Sequence, residues 1–168
     1  MTKTLKELMK KYLAYTDRPV TPEMVCNHEA GHALMARHLF RGKRRATISG
    51  EGGVPHVTLN LEDVENTVDK IAKCQMVAIA GRVAEYLCEG FTPGEVKTLV
   101  VEEGKRRHFK HDESNDLAKA MEVCRMAERG GIDFPGYGEL VSVTLATMTG
   151  LMDRLDGTAK EAMRCLYK

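Results

Sequence analysis

His28-Glu29-Ala30-Gly31-His32 sets two imidazoles four residues apart, with a carboxylate directly after the first. On a helix, positions i and i+4 lie about 40° apart around the axis and about 6 Å apart along it, so both rings can turn toward one point. Two imidazoles so placed can bind one divalent ion, zinc above all, at distances of about 2.0–2.1 Å. Glu29 then projects close to that ion without having to ligate it. From there it can take a proton from a zinc-activated water whose pKa has fallen to about 7. Metallopeptidases use this arrangement. A pattern with three fixed positions also arises in unrelated helices whose histidines only pack. Here the context favours chemistry: Val25, Ala33, Leu34 and Leu39 give the segment an apolar side. Thr21-Pro22 supplies a cap and a proline at the first helical position.

A catalytic zinc normally takes a third protein ligand and leaves one position for water. His38 stands ten residues after His28, but Met35 occupies the place where a glycine would break the helix. An unbroken helix carries His38 roughly 15 Å along the axis and off the ligand face, so it is set aside. Glu85, in GRVAE, is a carboxylate on the next long helix; it can ligate, pair with Arg82, or accept a histidine N–H. Asp116, in SNDL, lies in the first turn of a later helix, where an acidic residue is also favoured by the helix dipole. Spacing alone leaves Glu85 and Asp116 both open.

The elements that must position these residues are mostly helical. Residues 3–15 place Leu5, Leu8, Met9, Tyr12 and Leu13 on one helical face. The motif helix runs from Pro22 to about Phe40. RRATISG and PHVTLNL, separated by Glu51-Gly52-Gly53, read as a hairpin or a pair of edge strands. A long helix over about Val64 to Glu89 contains MVAIAGRVAEYL, apolar on more than one face, and is expected to be central. Residues 90–113 read either as a short helix or as a mobile loop. Ser114 is expected to cap a helix ending at Gly130-Gly131, and Glu139 to Tyr167 reads as mostly helical with a break near Gly150 or Gly157. The expected fold is mainly α, a helical zinc-metallopeptidase domain with a small β-hairpin or edge sheet. The 168 residues fit one domain: an N-terminal helical arm (1–20), a zinc-site core (21–130) and a C-terminal helical region (131–168).

The net charge of +1, from 25 basic and 24 acidic residues, points to neither nucleic acid nor an anionic membrane. The local clusters RGKRR (41–45) and KRRHFK (105–110) read as solvated loops. Five dispersed cysteines without a CxxC pair read as buried thiols of a cytoplasmic protein rather than as a redox or zinc-ribbon motif. No apolar stretch approaches the roughly 18 residues of a membrane span.

Three blocks, NHEAGHALMA (27–36), IAGRVAEYL (79–87) and SNDLAKAMEVCRMA (114–127), resemble in order and approximate spacing the peptidase domain of FtsH-type ATP-dependent zinc proteases. The resemblance spans most of residues 22–130. It implies a mainly helical peptidase fold, zinc as cofactor, His28 and His32 as ligands, Glu29 as general base, Asp116 as third ligand, and Glu85 as a supporting carboxylate near the site. It also implies that a segment within residues 45–60 lines the cleft and pairs with extended substrate. The chain departs from the family pattern at His111-Asp112-Glu113, where TTGA is usual, and at Ala80-Gly81, where GG is usual. It carries no GxxxxGK[ST] phosphate loop, so ATP-driven unfolding would need a separate ATPase.

The expectation is therefore a zinc metalloendopeptidase acting on peptides or unfolded proteins, with oligomeric state, a homo-oligomer included, left open. The competing expectation is a non-catalytic peptide-binding or regulatory module that keeps the fold and docks to a separate ATPase. The intact Glu29 argues against it, since such a module has no chemical need of that carboxylate.

Overall fold

The structure, a computed structural model, describes residues 5–105 and 115–166. The order of elements is α1 (Leu5–Thr16), α2 (Pro22–Leu39), β1 (Ala46–Ser49), β2 (His56–Leu59), α3 (Val68–Cys88), α4 (Pro93–Lys105), α5 (Asp116–Arg129) and α6 (Tyr137–Met163). The chain is mainly α-helical with one two-stranded antiparallel sheet. Among the described residues no helix is long and apolar enough to cross a membrane.

Side-chain caps set most helix starts. Thr21 Oγ1 accepts from Met24 N at 3.2 Å ahead of Pro22, as the sequence suggests. The third helix begins later than the expected Val64. Val64 N closes a turn onto Leu61 O at 3.0 Å, Lys70 Nζ donates to Leu61 O and Val64 O, and Thr67 caps at 3.1 Å. Between residues 90 and 113 the helical alternative holds for Pro93–Lys105. Thr92 and Glu95 form a capping box, with Thr92 N donating to Glu95 Oε2 at 2.8 Å and Glu95 N to Thr92 Oγ1 at 3.4 Å. The cap of α5 is Asn115, whose side chain accepts from Ala118 N. The expected cap Ser114 and the altered loop at 111–113 lie outside the described residues, as do residues 106–110 of the second basic cluster.

The last helix is not broken at Gly150 or Gly157. Both glycines are exposed, while Leu145, Met148, Leu151 and Leu155 of the opposite face are buried. Each glycine costs about 1 kcal/mol against alanine, and the burial of that apolar face outweighs it.

The core lies where α2 and α3 cross and α6 packs over them. At the crossing the backbones touch. A Cβ on Gly31 would lie 2.5 Å from Ala80 O and 2.6 Å from Ala84 Cβ. The hairpin pairs Ala46 with Leu59 and Ser49 with His56. It is pinned to α2 and α6 by Arg37, which donates to Ala46 O and binds Glu161 through both guanidinium nitrogens at 2.8 and 2.9 Å. Cys26, Cys124 and Cys165 are buried as expected, but Cys74 is half-buried and Cys88 exposed, a correction to the reading of all five as core thiols.

Candidate metal centre

Helix α2 presents His28 and His32 on the side that meets α3, and their Nε2 atoms come within 3.0 Å of each other. The two rings stand nearly perpendicular, 83° between planes. Each ring is held by its other nitrogen. His32 Nδ1 lies 2.7 Å from Val77 O, and His28 Nδ1 lies 3.0 Å from Glu85 Oε2. Asp116, at the start of α5, brings Oδ2 to 3.3 Å from His32 Nε2. Ligand atoms of His28, Glu29 and His32 all fall within 4.8 Å of one another.

These partners dictate protonation. A carbonyl only accepts, so His32 Nδ1 carries a proton, and whenever the ring is neutral Nε2 is a bare lone pair. An ionised Glu85 puts His28 in the same tautomer. Two lone pairs at 3.0 Å, with the Asp116 carboxylate beside one of them, call for a proton or a metal ion among them. Burial, the neighbouring His32 and the Arg82 charge hold His28 well below the usual histidine range. Burial pulls His32 down too, but its bonds to Asp116 and Val77 and the Asp116 charge outweigh burial and raise it. The favoured place for positive charge is thus between His32 and Asp116.

Helix α3 leaves room there. A Cβ on Gly81 would lie 2.4 Å from His32 Nε2 and 2.9 Å from His28 Nε2, so glycine alone keeps the space facing both lone pairs open. Two imidazole nitrogens with a neighbouring carboxylate oxygen, from Glu29 in the same 4.8 Å cluster or from Asp116 at 3.3 Å from His32 Nε2, make an N/O donor set that suits zinc. The residues present fit such an ion.

Glu29 stands in the same cluster as the two histidines. Its carboxyl is raised above the ordinary glutamate value by burial and by the Asp116 charge, against the lowering effects of His32, the Val57 N–H and His56. A carboxyl with raised proton affinity beside an ion site is suited to a base. Glu85 faces His28 from the Nδ1 side, away from the Nε2 atoms. Burial and the charges of Glu103 and Glu89 push its carboxyl up to about 8, while two Arg82 contacts at 2.9 and 3.0 Å favour its ionised form. In its carboxylate form Glu85 accepts from His28 Nδ1.

The structure therefore brings His28, Glu29, His32 and Asp116 together, with Glu85 behind them and His38 exposed, apart from the cluster. Sequence reasoning missed Gly81, the Val77 carbonyl and the second buried carboxylate, Glu103. Only the glycine was visible, as part of an AGR block following an apolar helical run. Two hollows flank the centre. One, of about 270 Å³, is lined by Met24, Arg82, Glu103 and Leu117 among others. The other, of about 260 Å³, runs along β2 beside His56, Val57, Leu59 and Val77. Comparison with protein-family models, curated proteins and solved structures returns no match to this chain.

Proposed function

We propose that this chain is a zinc-dependent metalloendopeptidase, acting on peptides or unfolded protein segments. The observation that carries the reading is the cluster of His28, Glu29 and His32, whose ligand atoms lie within 4.8 Å of one another, with Asp116 Oδ2 at 3.3 Å from His32 Nε2 and Gly81 leaving the space beside both Nε2 atoms open. The resemblance of the three blocks to FtsH-type peptidases favours the same assignment. His28, His32 and Asp116 would hold the ion, which when bound supplies a Lewis acid that acidifies water and polarises a carbonyl.

The chain's own groups supply the rest. Glu29 accepts a proton from the attacking water as the new C–O bond forms, then delivers it to the departing amine as the C–N bond breaks. The Val77 carbonyl and Glu85 fix the tautomers that keep both Nε2 lone pairs turned inward. Strand β2 pairs with β1 on one side only, and Val57 and Leu59 line the hollow beside the centre. An extended peptide laid along that edge gains main-chain hydrogen bonds without a folded partner.

The test is Glu29→Gln, assayed on an unstructured fluorogenic peptide with zinc content measured in parallel. Cleavage should fall by roughly 10²–10⁴-fold, the usual contribution of a general acid–base, with zinc retained. A variant that cleaves at the native rate overturns the assignment of Glu29. A native chain that binds zinc but cleaves no peptide moves the binding-module reading to first place.

A further inference from the structure

Behind His28 a polar chain, buried except at Arg82, whose side chain is one-third exposed, runs through three helices beyond α2. Glu85 Oε2 faces His28 Nδ1, and Arg82 NH1 holds both Glu85 oxygens. On the other side of Arg82, its Nε lies 3.5 Å from Glu103 Oε2 on α4, and neither of those atoms has a hydrogen-bond partner among the described residues. Glu103 Oε1 accepts from Tyr86 Oη of α3 at 2.6 Å and from Tyr12 Oη of α1 at 2.8 Å. Glu85, Glu103, Tyr12 and Tyr86 are all buried.

Two buried carboxylates sharing one guanidinium are a poor device for stability, because apolar side chains of similar volume would often serve as well or better. What such a chain does provide is direction. Arg82 is held by two hydrogen bonds toward Glu85 but only by charge at 3.5 Å toward Glu103. The Glu103 charge, held by Tyr12 of α1 and Tyr86 of α3, braces the far side of the guanidinium whose near side binds Glu85.

We propose that Glu103 and Tyr12 are positioning residues of the metal centre, acting through Arg82 and Glu85 on His28, so that the N-terminal helix is a working part of the site. This rests on the zinc reading above and extends it from the ligands to α1 and α4. Groups that orient a ligating histidine change metal affinity by about 10–100-fold, and the loss of the Glu103 charge should fall at the lower end of that range.

The experiment measures zinc affinity by chelator competition, and the visible spectrum with cobalt(II) in place of zinc, for the native chain, Glu103→Gln, Tyr12→Phe and Tyr137→Phe. Tyr137 is the control: its hydroxyl also makes a buried bond to α4, but to Val100 O at 3.1 Å rather than to Glu103. The expected result is roughly tenfold weaker zinc binding and an altered cobalt spectrum for Glu103→Gln. Tyr12→Phe should show a smaller change in the same direction, and Tyr137→Phe native behaviour. Equal weakening in all three variants would mean general loosening and would overturn the proposal, as would native affinity and spectrum in both Glu103→Gln and Tyr12→Phe. A native chain that binds neither metal overturns the zinc reading itself, a result distinguishable from failure of the relay alone.

Discussion

Replacing Gly81 by alanine places a methyl group where the two imidazoles meet. Its Cβ would lie 2.4 Å from His32 Nε2 and 2.9 Å from His28 Nε2, well inside contact distance. Overpacking of this kind costs about 1–3 kcal/mol, while alanine in a helix interior returns up to about 1 kcal/mol relative to glycine. The atoms in the way belong to rings that can swing, at the expense of hydrogen bonds such as His32 Nδ1 to Val77 O. The metal-free protein should therefore lose no more than about 2 kcal/mol, a fall in Tm of roughly 4–8 °C for a chain of this size. Zinc affinity should fall by at least the 10–100-fold that follows loss of a supporting contact, because the methyl and the ion compete for one space. Gly31→Ala is the comparison. Its Cβ meets the Ala80 carbonyl at 2.5 Å and Ala84 Cβ at 2.6 Å, and a backbone atom cannot swing aside. That variant should reach or pass the upper end of the overpacking range, with the helices forced apart. Thermal melts in chelator and calorimetric zinc titration on the same samples separate the two effects. Native zinc affinity in Gly81→Ala would refute the claim that both imidazoles face that point.

Three further substitutions test the supports. The Arg37 contact holds the Glu161 carboxyl below the usual glutamate range, so its stabilisation is fully present above about pH 4.5 and fades as pH falls through the depressed value. With the carboxylate one-third exposed, Glu161→Gln should cost about 1 kcal/mol at pH 7 and much less near pH 3. Urea midpoints at the two pH values check this, and an equal loss at both would contradict it. In the α4 capping box, Glu95 accepts the shorter bond and also pairs with Lys11 at 3.0 Å. Glu95→Ala should therefore cost about 1–2 kcal/mol and Thr92→Ala less than half of that, with the reverse order counting against the cap.

Much of the centre was legible because its first three residues lie on one helix, where spacing fixes relative direction. His28, Glu29 and His32 needed only the knowledge that α2 is helical, and Thr21-Pro22 announced that. The choice between Asp116 and Glu85 was not legible from spacing. It depends on how α3 and α5 cross α2, which turns Glu85 toward Nδ1 and Asp116 toward Nε2 of different rings. Gly81 was visible only as a glycine in an apolar helix; that its missing side chain faces the imidazoles is a property of the crossing. Glu103 lies 17 residues from Tyr86 and 91 from Tyr12, so no local pattern joins them. The break expected in α6 failed for a different reason. Glycine's weak helix propensity was given too much weight on a face that packing leaves to solvent, while the buried face carried the helix through. The start of α3 was set too early because Lys70's clamp on the 61–66 turn is a tertiary contact.

The most direct test is the zinc content of the purified protein, by elemental analysis after equilibration with zinc, for the native chain, Asp116→Ala and Glu85→Ala. The geometry predicts about one zinc per chain in the native protein, as for a single three-ligand site. Asp116→Ala should lose it, and Glu85→Ala should keep it at saturating zinc. A native chain without zinc would contradict the central claim and leave α2 as a packing helix. Retention in Asp116→Ala with loss in Glu85→Ala would reverse the ligand assignment drawn from the Nε2 and Nδ1 contacts.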